Sequence, residues 1–155
     1  MKKKFPKYAD YKEKRLEDIF TEAQLKKAVK LDAYEMRTSL FLNNGKGGFT
    51  IKPLPIEAQF APVYGIAIAD FDRDGKQDIL LGGNFYQSKP EAGIYDGSYG
   101  LFLKGNGSGN FESVPISESN FFVKGAIRDI HTLKTNKTNL VIITRNNEKV
   151  KVVQY

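Results

Sequence analysis

The feature that most constrains this chain is an internal repeat. Leu40-Phe-Leu-Asn-Asn-Gly45-Lys-Gly47-Gly-Phe49 is matched about 60 residues later by Leu101-Phe-Leu-Lys-Gly-Asn-Gly107-Ser-Gly109-Asn-Phe111. Pro53-Leu-Pro-Ile56 is echoed by Pro115-Ile116, and Gly65-Ile-Ala-Ile-Ala-Asp70 by Gly125-Ala-Ile-Arg-Asp129. Ile79-Leu-Leu corresponds to Val141-Ile-Ile, and Gly83-Asn84 to Arg145-Asn-Asn147. From Ser39 onward apolar residues alternate with a period of two between glycine- and asparagine-rich turns, the pattern of strands. A period of about 60 residues with about four strands per unit is the arithmetic of a β-propeller blade.

Within the first unit, Asp70-Phe-Asp72-Arg-Asp74-Gly75-Lys76-Gln-Asp78 places carboxylates at positions 1, 3, 5 and 9 of a loop, with glycine at 6. Calcium takes six to eight oxygens, and an i, i+2, i+4 spacing lets a tightly wound loop aim side chains inward. Gly75 permits the sharp turn through a positive φ. Lys76 can offer only its main-chain carbonyl, and Asp78 would close the shell as a bidentate ligand. An EF-hand would need a carboxylate at position 12 and flanking helices. Position 12 is Leu81, and the flanks Gly65-Ile-Ala-Ile-Ala69 and Ile79-Leu-Leu-Gly-Gly83 suit buried strands. The expectation is one Ca²⁺ loop between two strands, held by Asp70, Asp72, Asp74, Lys76 and Asp78. The competing reading is an acidic hairpin turn that binds nothing, although four crowded aspartates repel one another without a cation.

The second unit carries no such loop. Asp129-Ile-His131-Thr-Leu-Lys134-Thr-Asn-Lys137 has one carboxylate and two lysines, which cannot hold a hard cation. His131, the only histidine, reads as a packing or surface residue rather than a ligand.

Residues 8–31 read as helix, broken near Thr21. Asp10 with Glu13 and Thr21 with Gln24 form two possible capping boxes, Phe20 and Leu25 a hydrophobic staple, and Leu25, Ala28 and Val29 an amphipathic stripe. The domain reading is a helical arm over 1–37 and a repeat segment over 38–155, divided into a calcium-loop blade over 38–100 and a degenerate blade over 101–155. The fold class expected is mainly β: about two four-stranded antiparallel β-propeller blades behind a short α-helical N-terminal segment.

Composition narrows the function. The net charge is +6, but ten Lys/Arg against five Asp/Glu in residues 1–30 account for +5 of it. The remainder is nearly neutral and lacks the basic and aromatic signatures of nucleic-acid modules, so no nucleic acid is expected. Lys26, Lys27 and Lys30 leave a weaker option of contact with an anionic polymer or lipid headgroups. The chain has no cysteine, no apolar run of transmembrane length, and no apolar stretch after its basic start that would make a signal peptide.

The stretch Tyr64-Gly-Ile-Ala-Ile-Ala-Asp-Phe-Asp-Arg-Asp-Gly-Lys-Gln-Asp-Ile-Leu-Leu-Gly-Gly-Asn84 resembles the FG-GAP/VCBS repeat, the blade of integrin-α-like propellers, and the twice-used glycine-rich hairpin is that family's other recurrent element. Ser88-Lys-Pro-Glu-Ala-Gly-Ile-Tyr-Asp-Gly-Ser-Tyr-Gly100 and Arg145-Asn-Asn-Glu-Lys-Val150 resemble the C-terminal part of large Bacteroidetes-type VCBS proteins. The resemblance spans roughly residues 38–155. It implies a calcium-binding propeller segment, with Asp70, Asp72, Asp74 and Asp78 as side-chain ligands and Lys76 as a carbonyl ligand. It further implies an extracellular or bacterial cell-surface protein and no enzymatic activity. Propellers need four to eight blades, so the expected partners are the remaining blades of a parent protein, or further copies of the chain, with a protein or glycan as possible ligand. The alternative is a carbohydrate-active enzyme on a propeller scaffold, with Asp96, flanked by Tyr95 and Tyr99, or Glu91, Glu112 and Glu118 supplying the two carboxylates such chemistry needs.

Overall fold

The computed structural model describes residues 4–155. The chain divides into two compact units, Met1–Met36 and Arg37–Tyr155.

In the first unit a 3₁₀ turn, Tyr8–Asp10, precedes the one-turn helix α1, Leu16–Ile19, and then α2, Glu22–Lys27. The Thr21/Gln24 box forms: Gln24 donates its main-chain N–H to Thr21 Oγ1 at 3.3 Å, and Thr21 returns its own to Gln24 Oε1 at 2.9 Å. The Asp10/Glu13 box does not; Asp10 instead accepts the main-chain N–H of Lys7. Helix thus covers far less than residues 8–31, and Val29 and Leu31 stand exposed beyond its end. None of the unit's described residues is buried, so little packing offsets the cost of helix nucleation.

The second unit is mainly β, with all strand pairs antiparallel. Strands β1 (Ser39–Asn43) and β2 (Phe49–Pro53) form a hairpin by themselves. Strands β3 (Val63–Ala69), β4 (Asp78–Gly83), β5 (Leu101–Gly105) and β6 (Phe111–Val114) form a four-stranded meander. Strands β7 (Ile127–Lys134), β8 (Asn139–Arg145) and β9 (Lys151–Gln154) form a three-stranded one, preceded by the short helix α3 (Ile116–Ser119). The sheets therefore hold two, four and three strands rather than four and four, and they are out of phase with the sequence repeat. The hairpin at Leu101 joins β4 across the 100/101 boundary through Leu81↔Leu101, Leu80↔Phe102 and Ile79↔Leu103. The strand patterns are the same in either phase; only pairing decides to which neighbour a hairpin adds.

Two apolar layers flank the four-stranded sheet. On one face Ala67 and Leu80 pack with Ile127, Ile130, Val141 and Ile143 of the three-stranded sheet. On the other, Ile79, Leu81 and Leu103 pack with Ala58 and Leu54. Strand β4 is buried on both faces, which is why Ile79-Leu-Leu81 runs without alternation. Gly65 and Gly82 make the sheets' close approach possible: a Cβ on them would fall 2.8 Å from Ile130 and 2.6 Å from Ile127.

Geometry also refines the repeat. In both hairpins an asparagine side chain folds the turn, Asn44 over the N–H groups of Lys46 and Gly48, Asn106 over those of Ser108 and Asn110. Counting back from these turns sets Phe41 against Leu103 and Leu42 against Lys104, one residue off the match by sequence alone. The inner hairpins share a β-bulge, between Val63 and Gly65 and between Ile127 and Asp129. That register sets Ile66 with Ile130 and Asp70 with Lys134, so Asp129 lies inside strand β7 and is not the counterpart of Asp70. The second loop shrinks to a tight turn in which Thr135 Oγ1 donates to the Thr138 carbonyl.

Candidate metal site

The loop between β3 and β4 begins where the last rung of the ladder, Ala69↔Asp78, ends. Its carboxylates fold it from within. Asp70 Oδ1 accepts the N–H of Asp74 at 3.0 Å and Oδ2 that of Gly75 at 2.9 Å. Asp72 Oδ1 also accepts from Asp74, at 3.1 Å, and Asp74 Oδ1 accepts the N–H of Lys76 at 2.9 Å. Gly75 takes the positive φ, +84°, expected of it, and Arg73 is also left-handed at 64°. Phe71 anchors the loop by edge contacts with Phe102 and Tyr155, the latter at 4.8 Å between ring centroids.

Asp78 is completely buried and bridges two segments. Its Oδ2 accepts the N–H of Phe71 at 2.9 Å, and its Oδ1 that of Gly105 at 2.8 Å, fastening the loop to the end of β5. Asp70, Asp72 and Asp78 each bring one carboxylate oxygen within 4.8 Å of the others. Oxygens bound to one calcium ion at 2.3–2.6 Å lie at most about 5 Å apart, so these three residues could hold a metal ion, and an all-oxygen set suits a hard one. Among the described residues this is the one such group. Asp74 is outside it, and Lys76 enters the hydrogen bonding through its N–H.

Lys104, on β5, is the cation that meets this charge. Its ammonium forms an ion pair with Asp72 and lies 3.2 Å from Asp74 Oδ2, where Lys76 Nζ also sits at 3.5 Å. Hydrogen bonding to Asp72, then to Asp74, pushes the Lys104 pKa upward. The N–H of Lys76, assisted against partial burial by Lys104, holds the Asp74 carboxyl below its ordinary value. An ammonium drawn onto two of the four carboxylates stands where a free cation would be attracted. Sequence reasoning missed Lys104 because it lies 32 residues from Asp72; a lysine beside the repeated glycine hairpin was the only local sign.

Asp96 lies in a different constellation. Its Oδ1 accepts the Tyr86 hydroxyl at 2.6 Å and Asn84 Nδ2 at 3.1 Å. Buried Asn84, at φ 81°, also donates to the carbonyls of Ser98 and Gly125 and accepts the N–H of Ser98, tying the Asp96 loop to both larger sheets. A cleft of about 380 Å³ between the β1–β2 hairpin and β5–β6 has Glu112 as its single carboxylate. His131 is exposed and pairs with Asp129 at 2.7 Å. In the first unit Lys26 pairs with Glu22 and Lys30 with Asp32. No helix among the described residues is long and apolar enough to cross a membrane.

No curated protein and no solved structure matches this chain. A family model does: the FG-GAP-like repeat matches residues 31–81, a stretch that includes the β1–β2 hairpin, β3, the aspartate loop and the first four residues of β4, and supports an FG-GAP-like repeat there.

Proposed function

We propose that this chain is a calcium-binding, non-catalytic structural and interaction module, a β-propeller segment of a larger exported or surface-displayed protein. The observation that carries the reading is that Asp70, Asp72 and Asp78 each bring a carboxylate oxygen within 4.8 Å of the others at the β3–β4 turn. A calcium ion there would join the end of β3, the loop and the start of β4. It would also relieve the mutual repulsion of the carboxylates and, bound to the folded chain alone, stabilise it by mass action. Asp74 and the Lys76 carbonyl are the further ligands a six- to eight-coordinate ion requires.

The segment reading is supported by faces that the internal repeat says should be covered. Ile130 is 2% exposed against the four-stranded sheet, whereas its counterpart Ile66 is 55% exposed. Leu103 is fully buried beside β4, whereas its counterpart Phe41 is 59% exposed on a strand with a free edge. A further blade, from a parent chain or an associated copy, would cover both. The family resemblance points to the cell exterior as its location.

The test is thermal unfolding with millimolar Ca²⁺, with Mg²⁺ and with chelator, for the unmutated chain and an Asp72→Ala/Asp74→Ala double variant. Calcium at 100 times its Kd adds about 2.7 kcal/mol, or roughly 10 °C, to the unmutated chain only. Magnesium adds far less, since it demands near-ideal octahedral geometry. Equal midpoints in calcium and chelator refute the calcium reading.

A further inference from the structure

We propose that Lys104 is a tethered counter-cation of the aspartate loop, which a divalent ion must displace and which thereby sets the loop's affinity for that ion. The inference rests on the calcium reading above. Lys104 reaches the loop because Ile79 pairs with Leu103 and Asp78 accepts the N–H of Gly105, which places the intervening residue beside the aspartates. Its ammonium engages Asp72, one of the three converging carboxylates, and Asp74, the one left outside them. One side chain thus blocks a ligand and holds another away.

The lysine is not needed to build the hairpin. At the same position of the β1–β2 hairpin stands Leu42, which packs over Gly109. With Lys104 in place the loop stays folded without a free ion. When a divalent ion binds, the ammonium swings to solvent, and Asp74 is released to turn inward as the fourth carboxylate. An ammonium left in place about 5 Å from a divalent ion would weaken its binding about tenfold even at the dielectric constant of water. That is why the ammonium must swing away, and it sets the scale of the affinity the lysine costs.

Calcium titration by isothermal calorimetry, on the unmutated chain and on Lys104→Met, tests this. Methionine keeps most of the stem, and Leu42 is the precedent for an apolar residue at that position. The expected result is a Kd about tenfold lower in Lys104→Met, with a lower melting temperature in chelator because the aspartates lose their counter-charge. Equal affinities in the two proteins overturn the role of Lys104 and leave the calcium reading intact. Binding by Lys104→Met alone supports Lys104 as the loop's own cation and overturns calcium binding by the unmutated chain. Binding by neither overturns both.

Discussion

Replacing Asp78 by alanine removes a carboxylate that is wholly buried and that accepts the N–H of Phe71 at 2.9 Å and of Gly105 at 2.8 Å. Alanine leaves the Gly105 donor buried and the Phe71 donor part-buried, each without its partner. An unpaired buried donor costs about 1–3 kcal/mol, and the lost bonds are charge-assisted, so the loss is about 3–5 kcal/mol. Asparagine keeps one carbonyl oxygen but presents an amide donor to the other N–H, for about 2–3 kcal/mol. Measurements in chelator separate this clamp from any metal. Asp72→Ala is the control: Asp72 is partly exposed and bonds one loop N–H and Lys104, so in chelator it costs less than about 1 kcal/mol. Urea unfolding, followed by circular dichroism because the chain has no tryptophan, gives the three differences. Both Asp78 variants within about 0.5 kcal/mol of the unmutated chain, the range of ordinary surface substitutions, would refute the argument.

Asn84→Ala combines the loss of four side-chain hydrogen bonds with alanine strain at φ 81°; urea unfolding is expected to show about 3–5 kcal/mol of destabilisation. Asn84→Gly, free of that strain, loses about 1–2 kcal/mol less. Tyr86 gives a pH dependence. Its hydrogen bond to Asp96, reinforced by burial, pushes the phenol from 10.0 up to about 12. The folded state therefore holds this proton more tightly than the unfolded one. The contribution is intact below pH 10.0 and disappears as the pH rises through about 12. The stability advantage over Tyr86→Phe should narrow across that window in urea unfolding, and a constant difference would refute the assignment.

The sequence by itself determined the local chemistry. Period-two alternation specified strands, because it fits a sheet with one covered face, and the Asn/Gly turns specified hairpins, because the bonds that close them run two to four residues along the chain. The acidic stretch was legible as a loop for the same reason: Asp70 and Asp72 bond N–H groups two to five residues on. Helix was overread in residues 8–31 because caps and stripes are local, whereas helix stability comes from packing.

Only the tertiary structure decided what joins distant segments. It assigned the hairpin at Leu101 to the sheet before it, made Asp78 a clamp on Gly105 as well as a member of the carboxylate group, and set Asp70 opposite Lys134 in the comparison of repeats. It also brought Lys104 onto the loop from 32 residues away. Which strand edges meet, and which charges share a site, follow from burial summed over whole sheets, and no window of neighbouring residues contains that sum.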